Sequence, residues 1–495
     1  MSTLVRRAGS EDKADPTSDS FGPRAARGVV ALLTRRGLTA VIGIGGSIVL
    51  ARTLQPRDFG AFAVITMIFG ILNSLGDGGL AATLVRQQHE PTRRELDVVF
   101  TAQQVMTAAL CLALSVVVIA LDGRVAASYI FLLLCVIGAI LLTSPQIVAI
   151  AQLERRLSFP ILGFIGVGES ITFYGVAIVL AEFGVGVRSF GIALLAQAFT
   201  GTVMYMAASR YRPHLAWTGS DLRERYAFGI PFQGVELVSL SKDAFTPVLV
   251  GIVLGARDVG FITWANQVCA YALIALMALS KLSLPIFSRL REDPLRLATA
   301  VEKTILLANA VTVPMSIFVL VYAQPLVRLV YGSKWHPALP LLYIMWAANL
   351  VVPTAAPLMS LVTTLGQPGF ALKMAIVWML GTWLIGAPLI LATGAKGFAI
   401  ANLCVQASNF LLFRRAKALL PELRITRAAA APWVTAACVA PILIAVAVIG
   451  RPDSVLELAS IGVLWVGLYA AVCAFVFRSR RTEFVAMMKR AGRLA

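Results

Sequence analysis

Charged residues are scarce in this 495-residue sequence: they make up 14% of the chain, whereas soluble proteins average about 25%. Hydrophobic residues account for 58%, and the mean hydropathy is +0.82. This composition excludes an ordinary soluble enzyme, a disordered chain and a small disulfide-stabilised secreted protein. It indicates an α-helical protein that crosses a membrane many times.

Motifs for metal, nucleotide and redox chemistry are also missing. The six cysteines stand singly inside apolar runs without CxxC spacing, so we interpret them as packing residues. The three histidines are isolated in polar connections, which argues against a zinc site. The sequence contains neither GxxxxGK[ST] nor a Gly-rich dinucleotide fingerprint. It therefore predicts no metal, no cofactor, no ATP-driven engine and no enzyme activity.

What the sequence has in abundance is long apolar runs, and about 20 such residues cross a bilayer. The polar segment 1–27 is predicted to be a disordered cytoplasmic tail, and the basic segment 478–495 a second cytoplasmic tail. The fold class is all-α and polytopic. About fourteen transmembrane helices are predicted, at 28–52, 59–85, 96–120, 126–150, 158–181, 187–208, 226–254, 259–284, 303–323, 338–364, 370–392, 397–419, 428–449 and 456–477.

Positive charge is in excess, with 43 Lys and Arg against 25 Asp and Glu, or +18. In membrane proteins Lys and Arg concentrate in the cytoplasmic connections. With the N-terminus placed inside, 33 of the 43 fall on the inner side, nine on the outer side, and Lys242 lies within a span. The charge therefore predicts topology rather than a nucleic-acid partner: a multi-pass plasma-membrane protein with both termini in the cytoplasm.

A short repeat divides the chain into halves. LQPRDFG at 54–60 recurs as LGARDVG at 254–260, each time after an odd-numbered span. An even number of spans separates the copies, so the two halves have the same orientation in the membrane. We predict an N-terminal six-helix lobe at 28–210, a C-terminal six-helix lobe at 211–420 and two additional helices at 421–477.

Several stretches resemble polysaccharide flippases. VLARTLQPRDFGAFAV, LGDGGLAATLVRQ and PTRRELDVVFTAQQ resemble their N-terminal part, and LPIFSRLREDPLRLATAVEK and PLVRLVYGSKWHPALPLL their central part. These Wzx-like proteins form the polysaccharide branch of the multidrug/oligosaccharidyl-lipid/polysaccharide exporter superfamily, and the similarity covers about residues 28–420. The resemblance implies two lobes around a central cavity. It also implies passage of a polyprenyl-diphosphate-linked oligosaccharide from the inner to the outer face for surface polysaccharide biosynthesis.

The resemblance also bears on cargo and partners. Members often carry an Asn/Asp pair early in helix 7, but the aligned positions here lie near Ala244 and Thr246. Lipid II flippases keep cationic residues in helix 1, whereas AVIGIGGSIV follows Arg36 in this chain, which argues against lipid II as cargo. Partners implied by the family are the bilayer, a polysaccharide polymerase and glycosyltransferases.

The seventh predicted span contains three ionisable residues, Glu236, Lys242 and Asp243. Such residues at mid-membrane cost about 2.5–3.5 kcal/mol on insertion scales, which makes them candidates for function. At 100° per residue, Glu236 and Asp243 lie about 20° apart and Lys242 about 100° from Asp243. Lys242 and Asp243 are therefore expected to find partners across the cavity rather than each other. We interpret Lys242 as a contact for the cargo pyrophosphate; a neutralised cluster that orients the helix is the alternative.

Amide side chains in two other spans match the hydroxyl groups of a sugar. They either contact cargo or join helices to one another. Asn402, Gln406 and Asn409 form one polar stripe on the twelfth span. The cavity candidates of this kind are Asn266, Gln267, Asn402 and Gln406.

Two carboxylates outside helix 7 are candidates for ion coupling. Asp77 is alternatively a helix cap or a lobe-packing residue, and Glu169 a hydrogen-bonded structural carboxylate. Trp264 and Tyr271 either pack or stack on sugar faces, and Trp335 is interpreted as an interfacial anchor.

Two other functions remain open from the sequence. One is a cation-coupled exporter of small molecules from the same superfamily. The other is a membrane-embedded glycosyltransferase or polymerase, which needs a sizeable loop with catalytic residues. No predicted outer connection exceeds about 15 residues, so this second alternative is the weaker one.

Overall fold

The computed structural model describes residues 21–86, 89–156, 158–217 and 238–476, and within these ranges the regular structure is entirely helical. This follows from the apolar runs, because in lipid every backbone polar group must be satisfied within the chain. Large apolar side chains such as Ile119, Phe164 and Leu384 are exposed on the outside of the bundle. They give the molecule the apolar surface that a lipid environment requires.

The first eight helices lie in the segment predicted to be the N-terminal lobe, and we keep that name for them. Helix α1 begins inside the segment that was predicted to be a disordered tail, because Ala and Arg favour helix and Pro is tolerated in a first turn. The helices are α1 (Phe21–Thr53), α2 (Pro56–Asp77), α3 (Leu80–Arg86), α4 (Arg93–Leu121), α5 (Ala127–Thr143), α6 (Gln146–Arg155), α7 (Phe159–Glu182) and α8 (Arg188–Ser209).

The next eight helices lie in the segment predicted to be the C-terminal lobe, and they keep that name. Helix α9 covers 238–253 and contains a π-helical turn at Thr246–Val250. A second π-helical turn follows α11 at Val327–Tyr331, and a 3-10 turn at Ser333–Ala338 leads into α12. The remaining helices of this lobe are α10 (Ala256–Arg289), α11 (Pro294–Leu326), α12 (Leu339–Asn349), α13 (Val352–Thr364), α14 (Pro368–Thr393), α15 (Ala395–Ala407) and α16 (Asn409–Leu419).

Two further helices, α17 (Ile425–Ile449) and α18 (Val455–Val476), pack against α11 on the side of the C-terminal lobe. The protein is thus an all-α, multi-pass membrane protein, as predicted. Nine helical segments of the described residues are long and apolar enough to span a bilayer, and the pair α5–α6, bent by 45°, would make a tenth. The other predicted spans are shorter, broken or partly outside the described residues, so the count of fourteen stays a prediction.

The two lobes meet mainly through α2 and α10. Their backbones cross at Gly60 and Gly260: a Cβ on Gly60 would strike the carbonyl oxygen of Ala256, and one on Gly260 that of Pro56. Only glycine permits so close an approach of two helices. These positions are equivalent in the two copies of the repeat, so the copies contact each other reciprocally.

The segment that follows α8, at 211–217, is held against α4 by hydrogen bonds. The Tyr211 hydroxyl donates to Asp97 Oδ1 at 2.7 Å, and the His214 backbone N–H donates to the same oxygen at 3.2 Å. Burial raises the pKa of Tyr211 above its ordinary value, and the bond to Asp97 acts in the same direction. The phenol therefore stays a donor at physiological pH and holds the start of the connection in place.

Candidate functional site

A cavity of about 540 Å³, here called the central cavity, lies between the lobes. Its walls come from α2, α9, α10, α14 and α15, and about half of their surface is polar. Five of the residues predicted from sequence line it together, although they are far apart in the chain. These are Lys242, Asp243, Asn266, Gln267 and Asn402.

Lys242 and Asp243 pair with each other, which corrects the sequence prediction. Lys242 Nζ lies 2.7 Å from Asp243 Oδ1, and the two side chains are 40% and 66% exposed. The Cβ directions of neighbouring helical residues do diverge, but the lysine stem is long and flexible enough to bend back over its own helix. Glu236, the third ionisable residue of this span, lies outside the described residues.

A second cavity, of about 810 Å³, opens from the central cavity into the C-terminal lobe. We call it the C-terminal chamber. Lys242, Thr382 and Asn402 line both cavities, so Lys242 stands at the boundary between them. Apart from these and a few other polar groups, the chamber wall is apolar. It includes Leu284, Val352, Ala355, Ala356, Met359, Val405 and Leu412.

The polar stripe of the twelfth predicted span is divided between two roles. Asn402 and Gln406 line the C-terminal chamber, and a contact with cargo stays a prediction. The helix breaks at Ser408, and Asn409 donates to the Gln406 side-chain oxygen at 2.8 Å. Asn409 is buried, so it orients Gln406, while Asn402 and Gln406 face the space where cargo would lie.

A third cavity, of about 310 Å³, continues the central cavity between the lobes. We call it the aromatic pocket. Thr66, Thr263 and Gln267 line both cavities. Sequence reasoning left out most of this pocket, because aromatic and hydroxyl residues are common in apolar spans. Its ring-bearing residues are Phe59, Phe62, Phe173, Tyr174, Phe190, Trp264, Tyr271 and Tyr331.

The two ion-coupling candidates occupy different positions in the N-terminal lobe. Asp77 Oδ1 accepts the Ala81 backbone N–H at 3.0 Å and the Gln103 amide at 2.8 Å. This geometry matches the alternative helix-capping interpretation of Asp77. The Glu169 carboxylate packs against Gly201, and the Gln146 amide oxygen lies beside the same point. An ion-coupling role for either residue stays a prediction.

Trp335 is fully buried between the lobes, so its interpretation as an interfacial anchor is wrong. Its indole N–H donates to the Ala51 carbonyl at 2.9 Å, which joins the C-terminal lobe to the end of α1. Its ring contacts those of Phe59 and Trp264, at centroid distances of 5.2 and 5.3 Å. A contact between segments this far apart in the chain has no local signature in the sequence.

Two cations complete the contact at this end of the molecule. Lys334 Nζ donates to the carbonyls of Arg52 and Leu54, at 2.7 and 2.6 Å, at the C-terminus of α1. Arg52 in turn donates to the Val330 carbonyl at 2.8 Å and to the Leu329 carbonyl. We call Arg52, Lys334 and Trp335 the latch. It lies at the end of the bundle that carries the turn between α1 and α2, which the predicted topology places outside.

The family profile described as "Polysaccharide biosynthesis protein" matches residues 49–340, which include both copies of the repeat and all three residues of the latch. The chain belongs to this family. The predicted resemblance to Wzx-like polysaccharide flippases is therefore confirmed. Apart from Ser47, every residue that lines the aromatic pocket lies within the matched range.

Relatives of this chain are named for polysaccharide biosynthesis and transport. The chain is 26% identical over 384 residues to the succinoglycan biosynthesis transport protein ExoT of Rhizobium meliloti (strain 1021), covering 75% of this chain and 74% of the relative. It is 21% identical over 398 residues to the lipopolysaccharide biosynthesis protein WzxC of Escherichia coli (strain K12), covering 75% and 77%.

Solved structures of transporters share the fold. The inward closed conformation of the lipid II flippase MurJ superposes with a TM-score of 0.69 at 14% identity, covering 91% of this chain and 99% of that one. An inward-facing multidrug resistance MATE family transporter superposes with a TM-score of 0.56 at 13% identity, covering 79% and 98%. The two superpositions show that this polysaccharide biosynthesis protein shares the fold of these transporters.

Proposed function

We propose that the protein flips a lipid-linked oligosaccharide, carried on a polyprenyl diphosphate, across the plasma membrane for surface polysaccharide biosynthesis. Family membership and the names of the polysaccharide-export relatives support this function. The latch closes one end of the bundle, so cargo enters from the other end and leaves after the lobes have rocked about their contact. A polymerase and glycosyltransferases would consume and supply this cargo.

The position of Lys242 is the observation that carries the proposal. It is a cation at the boundary between a cavity whose wall is about half polar and a largely apolar chamber. A polyprenyl diphosphate has the same arrangement, with an anionic group between a hydroxylated head and an apolar chain. An exposed ion pair contributes about 0–1 kcal/mol. Breaking the Lys242–Asp243 pair so that Lys242 can bind a diphosphate therefore requires little free energy.

Substitution of Lys242 tests this proposal. In a strain whose own copy is deleted, wild-type protein restores the surface polysaccharide and removes lipid-linked repeat units from the inner face. Lys242→Gln is expected to accumulate to the wild-type level but to lower export at least about tenfold, because a charge-assisted bond contributes about 1.5–3 kcal/mol. Lys242→Arg keeps the charge and serves as the matched control.

Two outcomes would count against the assignment. Full export by Lys242→Gln would remove the diphosphate contact, and reduced protein with normal export per molecule would mean a structural role. A deletion strain with normal surface polysaccharide and no accumulated intermediate would contradict flipping itself.

The orientation in the membrane is part of the proposal. We place both termini in the cytoplasm, because the inner connections then hold most of the Lys and Arg residues. Reporter fusions at Asp122, Arg188 and Pro452 are expected to report the outside, and fusions at Thr92 and Arg155 the inside. A fusion at the C-terminus that reports the outside would contradict the fourteen-helix arrangement.

A further inference from the structure

The aromatic pocket occupies a particular place along the path of the cargo. The pocket adjoins the central cavity. Two residues of its wall, Phe59 and Trp264, pack on Trp335 of the latch. The pocket is therefore the closed end of the passage. Lys242 lines the central cavity and the C-terminal chamber but not the aromatic pocket, so the central cavity separates the chamber from the pocket.

A hydrogen-bonded cluster that joins the two lobes forms one wall of the pocket. Ser47 on α1 and Tyr271 on α10 share a hydrogen bond of 2.7 Å, and Gln267 donates to the Tyr271 hydroxyl oxygen at 2.9 Å. Ser47 also donates to the Ile44 carbonyl, so the Tyr271 hydroxyl is the donor to Ser47. This leaves the amide oxygen of Gln267, which is exposed to the cavity, as an acceptor for a ligand hydroxyl.

A second polar group in the wall has no partner among the described residues. The indole N–H of Trp264 is buried and makes no hydrogen bond there. A buried donor left unpaired costs about 1–3 kcal/mol. Because this nitrogen is enclosed, a ligand in the pocket would reach it only after a shift of the indole ring.

The remaining walls suit one face of a flat, hydroxylated ring. Phe62 stacks on Phe190 and Phe173, at centroid distances of 4.2 and 5.5 Å, and forms an apolar surface opposite the polar cluster. Aromatic faces carry negative charge density, which attracts the C–H groups on the face of a sugar ring. The volume of about 310 Å³ lies at the lower limit for small-molecule sites, about 300–1,000 Å³, and suits a ring rather than a long chain.

We propose that the aromatic pocket binds a sugar ring at the end of the cargo remote from the lipid, with Gln267 and Tyr271 as its hydrogen-bonding groups. The cargo then enters sugar first, while its diphosphate meets Lys242 and its lipid lies toward the C-terminal chamber. This inference rests on the proposed function. Lipid in the pocket would leave the polar cluster unsatisfied, and phosphate would find no cation, because none of the residues that line the pocket is charged.

A binding measurement separates this inference from transport. The full chain is purified into lipid nanodiscs, and the probe is the neutral, lipid-free repeat-unit oligosaccharide released from the surface polysaccharide of the host strain. Equilibrium dialysis with labelled probe gives the affinity. Tyr271→Phe and Gln267→Leu are each expected to weaken binding about three- to tenfold, the effect of losing one neutral hydrogen bond.

The matched control is Tyr469→Phe, which removes the hydroxyl of another buried tyrosine, on α18, far from the pocket. It is expected to bind the oligosaccharide as the wild type does. Wild-type protein that does not bind the neutral oligosaccharide would overturn the inference. So would unchanged affinity in Tyr271→Phe and Gln267→Leu: if export falls while affinity stays the same, Tyr271 only joins the lobes.

Failure of the proposed function has a different signature. A deletion strain that still displays its surface polysaccharide, and does not accumulate lipid-linked repeat units, would contradict flipping. The dialysis result would still decide the sugar site, because it requires neither the lipid nor the diphosphate.

Discussion

At the scale of single residues, the Lys242–Asp243 pair sets how strongly the central cavity attracts an anion. In the absence of cargo, the Asp243 carboxylate is paired with the Lys242 ammonium. The Asp243 side chain is the more exposed of the two. An anionic cargo therefore competes with Asp243 for Lys242. The pair keeps the charge of the cavity balanced while it is empty and makes the cation available at little cost.

Removal of this competitor gives a prediction. Asp243→Asn is expected to tighten binding of undecaprenyl diphosphate to the purified protein by up to about fivefold, because an exposed ion pair contributes about 0–1 kcal/mol. The affinity is measured by displacement of labelled lipid in nanodiscs. Glu457→Gln, which removes an exposed carboxylate at the start of α18, is the control. Weaker binding in Asp243→Asn would mean that Asp243 positions Lys242 rather than competing for it.

Five polar residues that the sequence singled out line the central cavity, but the partner that Lys242 has in the structure was not predicted. Lys242, Asn266 and Asn402 are conspicuous in apolar spans because an unused polar group there is costly. The pairing of Lys242 with its neighbour depends on side-chain flexibility, which helical angles do not describe. Tyr271 has an obvious packing interpretation, and its bond to Ser47 becomes visible only when α1 and α10 are placed side by side.

At the scale of helices, the latch is a reciprocal exchange of caps. The last carbonyls of a helix have no partners within it and carry partial negative charge. Lys334 satisfies those at the end of α1, and Arg52 satisfies those at the end of α11. Each lobe thus supplies the cation that the other lobe's helix end needs, so the contact is lost when the lobes separate.

Loss of one cap is therefore expected to loosen the closed end. The reporter is a cysteine placed at Phe59, whose ring packs against that of Trp335. In intact cells, Lys334→Met is expected to raise the labelling of this cysteine by a membrane-impermeant maleimide about fivefold or more. Arg328→Met is the control. Arg328 is a cation at the same end, but it binds Pro452 and Asp453 within the C-terminal part of the chain. Equal labelling in both variants would show that the latch does not hold the lobes together.

Helix boundaries were predictable from apolar length, and interruptions within the helices were not. The predicted fourth span is two helices bent at Ser144, and the predicted twelfth breaks at Ser408. The π-helical turns at Thr246–Val250 and Val327–Tyr331 likewise follow from packing rather than from local sequence. Hydropathy averages over such breaks, because the residues around them remain apolar.

At the scale of the whole molecule, the two copies of the repeat lie at the contact about which we propose that the lobes rotate. The copies at 54–60 and 254–260 were visible as four matching letters, and their equivalent positions in the topology indicated a duplicated half. The structure places the copies against each other, where α2 and α10 cross. Two-fold related contacts of this kind are expected when two similar halves rotate about a shared axis.

This crossing predicts that two distant glycines behave alike. In Gly60→Ala the new methyl group would overlap the carbonyl oxygen of Ala256, and in Gly260→Ala that of Pro56. Since backbone atoms cannot move aside as side chains do, the helices must separate, and overpacking costs about 1–3 kcal/mol or more. Each variant is expected to lower the apparent Tm of the purified protein and its export by a similar amount.

Gly45→Ala is the control, because a Cβ at this exposed helical position meets nothing within 4 Å. Alanine is also the better helix former by about 1 kcal/mol, so this variant should be at least as stable as the wild type. If Gly260→Ala is damaging while Gly60→Ala is tolerated, the crossing is not reciprocal. Tolerance of both would mean that α2 and α10 are free to part here without loss, and the axis of lobe rotation would have to lie elsewhere.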